Sequence, residues 1–159
     1  SCRIHGMGKD KYQNVRIGMT GRLDTMQAVV LDAKLDIFAD ELDLRQQVAD
    51  RYQDRLNAIV ETPQLAAGAT SSWAQYTVKL PEALDRDVVC AKLQAAGVPS
   101  AIYYPVPMHR QPPYATYPVA AGALNDTDKL CQRVIALPMH PYLDADTQDI
   151  ITAALKAAL

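Results

Sequence analysis

Apolar residues recur along this chain with two different periods. Residues 1–21 carry Gly6, Gly8, Gly18 and Gly21 among polar neighbours and read as loop, with one short extended piece at residues 15–17. From Asp24, a residue suited to cap a helix, Met26, Val29, Val30, Ala33 and Ile37 form a wide apolar stripe at helical spacing. Leu23, Leu31 and Leu35 fall around the rest of the circumference. A helix apolar on most sides is usually covered on most sides, so this one is expected to touch something outside the chain. Over residues 40–58 the pattern is amphipathic. Leu44, Val48, Tyr52, Leu56 and Ile59 share a face, and Arg45, Asp50, Arg51, Asp54 and Arg55 read as a solvated one.

At Trp73 the period drops to two. Ala74, Tyr76, Val78 and Leu80 alternate with Trp73, Gln75, Thr77 and Lys79, which predicts a half-buried strand closed by Pro81. Asp85 is placed to cap a helix bearing Val88, Val89, Leu93 and Ala96, stopped by Gly97 and Pro99. Residues 100–104 read as the next strand. A stretch holding Pro105, Pro107, Pro112, Pro113 and Pro118 excludes regular helix or central strand, because each proline lacks a backbone donor. A short helix near 126–134, a strand at 134–137, a rigid turn at 138–143 and a final helix capped by Asp144 complete the order. Strands alternating with helices predict an α/β fold, with an α+β small domain built on a three-stranded sheet covered by helices.

Composition narrows the class. With 49% hydrophobic and 21% charged residues, the chain can bury a core. Its net charge of −2 argues against a nucleic-acid partner, whose phosphates demand a basic surface. No uncharged apolar run approaches the ~20 residues that span a bilayer, so no membrane partner is expected. Cys2, Cys90 and Cys131 are odd in number and far apart, which fits free thiols and a cytoplasmic location. The chain opens on Ser1 with no signal-peptide pattern and is expected to be the downstream part of a longer protein.

Generic motifs carry little chemistry. Gly6-Met7-Gly8 is half of a dinucleotide fingerprint with no strand before it. Cys2 and His5 have metal-ligand spacing but no second pair, and no Gly-x-Ser-x-Gly elbow is present. Two stretches stand out. Thr20-Gly21-Arg22-Leu23-Asp24 is a turn entering a helix, where free N–H groups, a hydroxyl and a guanidinium suit an anion; alternatively, Arg22 pairs locally with Asp24 or another carboxylate and merely ties the turn down. Tyr103, Tyr104, His109 and Arg110 sit on a backbone stiffened by prolines, either as a binding wall or as a structural loop with packed tyrosines. His140, in a proline-clamped turn, reads as structural.

The segment from Ile17 through Gly18-Met19-Thr20-Gly21-Arg22-Leu23-Asp24-Thr25-Met26-Gln27 to Leu31, followed by Lys34-Leu35, resembles the DegT-type nucleotide-sugar aminotransferases. Tyr104-Pro105, Pro107-Met108-His109 and Gln111-Pro112 resemble that family's later motif. Residues 137–143 resemble its closing turn, and His5-Gly6 its His-Gly pair. Within the family the chain is most similar to UDP-2-acetamido-2-deoxy-3-oxo-glucuronate aminotransferases, which serve bacterial surface polysaccharide synthesis.

That resemblance implies a fold-type-I enzyme using pyridoxal 5'-phosphate, working as a homodimer with shared active sites on a UDP-sugar and L-glutamate. Residues 1–35 would be the tail of the large domain with a partner-facing loop, and 36–159 the small C-terminal domain. By the same resemblance Thr20 would contact the partner subunit's cofactor phosphate, and Arg22, Tyr103, Tyr104 and His109 the substrate. Thr20 stands where many relatives carry Asn, and Tyr103 where some carry His. None of Lys9, Lys11, Lys34, Lys79, Lys92, Lys129 or Lys156 matches the context of the cofactor-anchoring lysine, so no catalytic residue is expected here and the chain alone should be inactive. The alternatives are a non-enzymatic α/β ligand-binding or assembly module, and a dehydratase relative of the same fold.

Overall fold

The computed structural model describes residues 1–10, 12–119 and 124–159. It divides into two compact units, Ser1–Asp40 and Glu41–Leu159.

In the first unit, residues 1–8 fold back on residues 13–21. His5 N–H donates to Met19 O at 3.1 Å, Met19 N–H to Cys2 O at 2.9 Å, Gly21 N–H to Arg3 O at 2.8 Å and Val15 N–H to Gly6 O at 3.0 Å. The expected loop is thus a paired stretch, with antiparallel bridges at Ile4–Thr20 and Met7–Asn14. Helix α1 (Thr25–Leu35) follows. Asp24 caps it as its sequence predicts, accepting from Met26 N–H at 2.9 Å and Gln27 N–H at 3.5 Å. None of its residues is buried: Met26, Val29, Val30 and Leu35 all face outward.

The second unit holds the core. Helix α2 (Phe38–Leu56) begins at its boundary and buries Val48, Ala49, Tyr52 and Leu56. Strand β1 (Tyr76–Lys79) pairs antiparallel with β2 (Val134–Leu137), Tyr76 opposite Leu137 and Val78 opposite Ile135. Helices α3 (Arg86–Ala95), α4 (Asn125–Arg133) and α5 (Ala145–Ala158) complete the unit, with Asp85 and Asp144 capping α3 and α5. Tyr52, Leu56, Val78, Leu80, Leu93, Ile135 and Leu155 are fully enclosed in one cluster. Each such aliphatic side chain contributes about 1.5–3 kcal/mol on burial.

The sheet corrects the expected three strands to two. Residues 100–104 supply a single antiparallel bridge, in which Ala101 and Ala136 exchange both backbone hydrogen bonds at 3.0 and 2.8 Å. Pro99 lies before that bridge, and Tyr104 has φ +56°, outside any strand conformation. The same cause shortens β1. Trp73 has φ +45°, so the alternation predicted from residue 73 becomes a strand only at Tyr76. On the other side of β1, Glu61 bridges Lys79 and the two side chains form an ion pair.

The charged face of α2 is also corrected. Arg51 Nε donates to Gln148 Oε1 at 2.5 Å and its Nη2 to Leu143 O at 2.7 Å. Arg55 pairs with Asp149, and Arg45 donates to Trp73 O at 2.9 Å. These guanidiniums fasten α2 to α5 and to the loops rather than facing water alone. Buried Gln148 returns a bond to Val48 O at 3.0 Å.

Tyr52 and Tyr76 stack with ring centroids 4.9 Å apart, and burial pushes both phenols above their ordinary range. Tyr52 OH donates to Pro138 O at 2.9 Å, whereas the buried Tyr76 OH meets no acceptor among the described residues. Tyr52→Phe should therefore cost about 1 kcal/mol of unfolding free energy, while Tyr76→Phe should leave stability within about 0.5 kcal/mol or raise it. Denaturant titration of the two variants checks the contrast, and equal losses would contradict it.

Candidate functional site

The first candidate stretch lies in the Ser1–Asp40 unit, where a doubled backbone presents Thr20. Two glycines make the doubling possible. A Cβ on Gly18 would lie 2.1 Å from Gly6 N and 2.6 Å from His5 C, so only a bare Cα fits between the strands. Gly6 itself has φ +72°, and a Cβ there would sit 1.8 Å from Arg16 O. His5, at φ +53°, is the non-glycine neighbour carried into the same left-handed turn.

Its ring is what Thr20 meets. The Thr20 hydroxyl lies 3.3 Å from His5 Nε2 and 3.4 Å from Nδ1, an exposed contact between two residues of the resembling motifs. Arg22 is exposed and makes no hydrogen bond or ion pair with any described residue. It does not pair with Asp24, which spends its carboxylate on the α1 N–H groups. That cap changes the anion argument. The helix N-terminus already holds a carboxylate, so an external anion at this turn would be met by the Thr20 hydroxyl and the Arg22 guanidinium rather than by bare helix N–H groups.

The second stretch lies in the Glu41–Leu159 unit. Tyr103 is half-exposed and lines a groove of about 210 Å³ with Gln75, Ser100, Ala101, Pro138 and Met139. Tyr104 is 77% exposed at φ +56°, a conformation that costs a non-glycine residue about 1–3 kcal/mol and persists only where its surroundings hold it. Short 3₁₀ turns at Met108–Arg110 and Pro112–Tyr114 follow, as the prolines require.

His109 is engaged. Its Nε2–H donates to Asp128 Oδ1 at 2.9 Å. Arg110 grips the same carboxylate with two bonds, Nε to Oδ1 at 3.2 Å and Nη2 to Oδ2 at 2.7 Å. The bond from Arg110 is the main reason the Asp128 carboxyl lies below its usual range, with His109 adding to it. No hydrogen bond from a described residue reaches His109 Nδ1. Sequence reasoning named His109 but missed Asp128, the residue that fixes it. The two are 19 positions apart across the proline-rich loop, a separation no periodicity reports. His140 is exposed, with its carbonyl accepting from Leu143 N–H at 3.3 Å.

For a pyridoxal group the described residues fit one edge only. The Thr20 hydroxyl and Arg22 offer anion contacts. No described lysine is buried: Lys79 pairs with Glu61, Lys92 donates to Ala158 O at 2.8 Å, and Lys9, Lys34, Lys129 and Lys156 are exposed. Lys11 lies outside the described residues.

These features belong to a known class. Residues 1–156 match the DegT/DnrJ/EryC1/StrS aminotransferase family, and the chain is a member of it. Within the family it is 43% identical over 152 residues to the UDP-2-acetamido-2-deoxy-3-oxo-D-glucuronate aminotransferase of Pseudomonas aeruginosa, a match covering 95% of this chain and 40% of that protein. A DegT DnrJ EryC1 StrS aminotransferase from Brucella abortus superposes with a TM-score of 0.90 at 45% identity, over 98% of this chain and 41% of that one. DesV of S. venezuelae, solved with a ketimine intermediate, gives 0.85 at 28% identity, over 98% of this chain and 42% of that one. The chain spans about 40% of the length of the curated relatives it matches.

Because the presentation of Thr20 rests on a bare Cα, Gly18→Ala should open the pairing of residues 1–8 with 13–21. Hydrogen exchange at the His5, Val15 and Met19 amides should accelerate, with the amides of β1, β2 and α5 unchanged. Retained protection at Met19 would show that the close approach is not required.

Proposed function

We propose that the whole protein, of which this chain is one part, is a pyridoxal-phosphate-dependent aminotransferase. It moves the amino group of L-glutamate to the 3-oxo position of a nucleotide sugar of the UDP-2-acetamido-2-deoxy-glucuronate type. The reaction would serve surface polysaccharide synthesis in the cytoplasm of a bacterium. The observation that carries this reading is the 43% identity, across 95% of the chain, to an enzyme named for that substrate.

On this reading residues 1–35 are the tail of the large cofactor-binding domain and 36–159 the small C-terminal domain of a fold-type-I enzyme. The subunits pair as a homodimer. When bound, pyridoxal phosphate supplies the carbonyl that accepts an amino group from the donor and yields it to the sugar ketone. This chain's residues bind and orient. Thr20, steadied by His5, offers its hydroxyl to the partner subunit's cofactor phosphate. Arg22, free of any described carboxylate, is available to the uronate carboxylate of the sugar. Tyr103, Tyr104 and His109 line the substrate, with His109 Nδ1 available as an acceptor for a sugar hydroxyl.

Two measurements test the reading. The full-length protein, given L-glutamate and the 3-oxo uronate nucleotide, should form 2-oxoglutarate and the 3-amino sugar in equal amounts. Absence of amino transfer to any 3-oxo nucleotide sugar would reject it. Arg22→Ala should raise KM for the uronate about ten- to a hundredfold, the loss of a charge-assisted pair contributing roughly 1.5–3 kcal/mol. An uncharged hexose analogue should be affected far less, and equal effects on both sugars would rule out carboxylate recognition.

The 159-residue chain alone is expected to hold no cofactor covalently. Mixed with pyridoxal phosphate and dialysed, it should retain no absorbance on a defined lysine; a retained, mapped adduct would overturn the assignment of the anchor to another part of the protein.

A further inference from the structure

One carboxylate joins two parts of the second unit that are remote in sequence. Asp128 stands in the first turn of α4, while His109 and Arg110 end the segment that carries Tyr103 and the strained Tyr104. Three hydrogen bonds converge on its two oxygens, at 2.9, 3.2 and 2.7 Å. Among the described residues the segment's other hydrogen bonds are local. Arg110 N–H closes a local turn on Pro107 O at 2.9 Å, and Gln111 Nε2 reaches only Val106 O at 3.3 Å. None of residues 103–119 is buried. The segment is therefore held to the body mainly by the Ala101–Ala136 bridge at one end and by Asp128 at the other.

We propose that Asp128 is a positioning residue for substrate binding. Its carboxylate fixes His109 in the tautomer with a proton on Nε2, which leaves Nδ1 as the acceptor. With Arg110 it also clasps the segment to α4. A carboxylate that orients an imidazole in this way sets both its rotation and the nitrogen it presents. Arg110 is the structural half of the clasp, because both its bonds go to the carboxylate. His109 is the half through which Asp128 acts on the substrate. The proposal rests on the assignment of Tyr104 and His109 to the nucleotide-sugar site.

Asp128→Asn, Asp128→Glu, His109→Ala and the double variant His109→Ala with Asp128→Asn in the full-length protein provide the test. Asp128→Asn keeps the side chain's shape while removing its charge. It should raise the KM for the nucleotide sugar roughly tenfold, with kcat and the glutamate KM within about twofold, and it should accelerate hydrogen exchange at Arg110 and Gln111. Asp128→Glu should recover part of the sugar KM. In the His109→Ala background, Asp128→Asn should add less than about twofold, since residues acting through one another are not additive. Full additivity would overturn the positioning role, and so would an unchanged sugar KM with accelerated exchange. Unchanged exchange would overturn the clasp. If the wild type transfers no amino group, the functional reading fails, yet the exchange measurement still decides whether Asp128 holds the segment.

Discussion

Four residues of β1 paired with four of β2 make too small a sheet to stand alone in water, and everything else in the Glu41–Leu159 unit answers to that constraint. The pair survives because its residues are enclosed by what surrounds them. Tyr76 and Val78 from one strand and Ile135 and Leu137 from the other join Tyr52 and Leu56 of α2, Leu93 of α3 and Leu155 of α5 in one core. The pairing also extends sideways by single bridges at Glu61 and Ala101, which satisfy backbone groups that a two-stranded edge would leave to solvent. The Ala101 bridge reaches directly into the segment holding Tyr103 and Tyr104. The core thereby positions one end of the candidate binding stretch, and Asp128 on α4 positions the other.

Helices were legible in the sequence because their signals are local. Asp24, Asp85 and Asp144 each cap the helix their position predicts, and the apolar faces of α2, α3 and α5 point to the core as their spacing requires. Strand ends were not legible. Alternation continues through Trp73 and the strand-like run continues to Tyr104, but both residues adopt positive φ, and nothing in the types of their neighbours forces that. The roles of the α2 arginines were hidden for another reason. Arg51 and Arg55 look like a solvated face until α5, more than 90 residues on, brings Gln148 and Asp149 beneath them.

The candidate site shows the same division. Family-like motifs drew attention to Thr20, Arg22, Tyr104 and His109, yet the contacts that define their environments are non-local. Thr20 meets His5 across 15 residues because Gly6 and Gly18 allow two backbones to touch, and His109 meets Asp128 across 19. A turn-capping aspartate was readable at position 24, but its consequence was not. By satisfying the first N–H groups of α1, it would leave an anion at this turn to side chains rather than to the helix terminus.

The arginines sort accordingly. All six in the Glu41–Leu159 unit are committed within the chain. Arg45, Arg51, Arg86 and Arg133 bond to backbone carbonyls, among other acceptors, while Arg55 and Arg110 pair with carboxylates. In the Ser1–Asp40 unit, the guanidiniums of Arg3, Arg16 and Arg22 have no hydrogen-bond or ion-pair partner among the described residues. A guanidinium forked onto a carbonyl or carboxylate is a fastener, and its removal should be felt in stability. One left open on a glycine-shaped turn is free to meet an external carboxylate or phosphate. By that criterion Arg51 and Arg110 are structural, and Arg22 is left open.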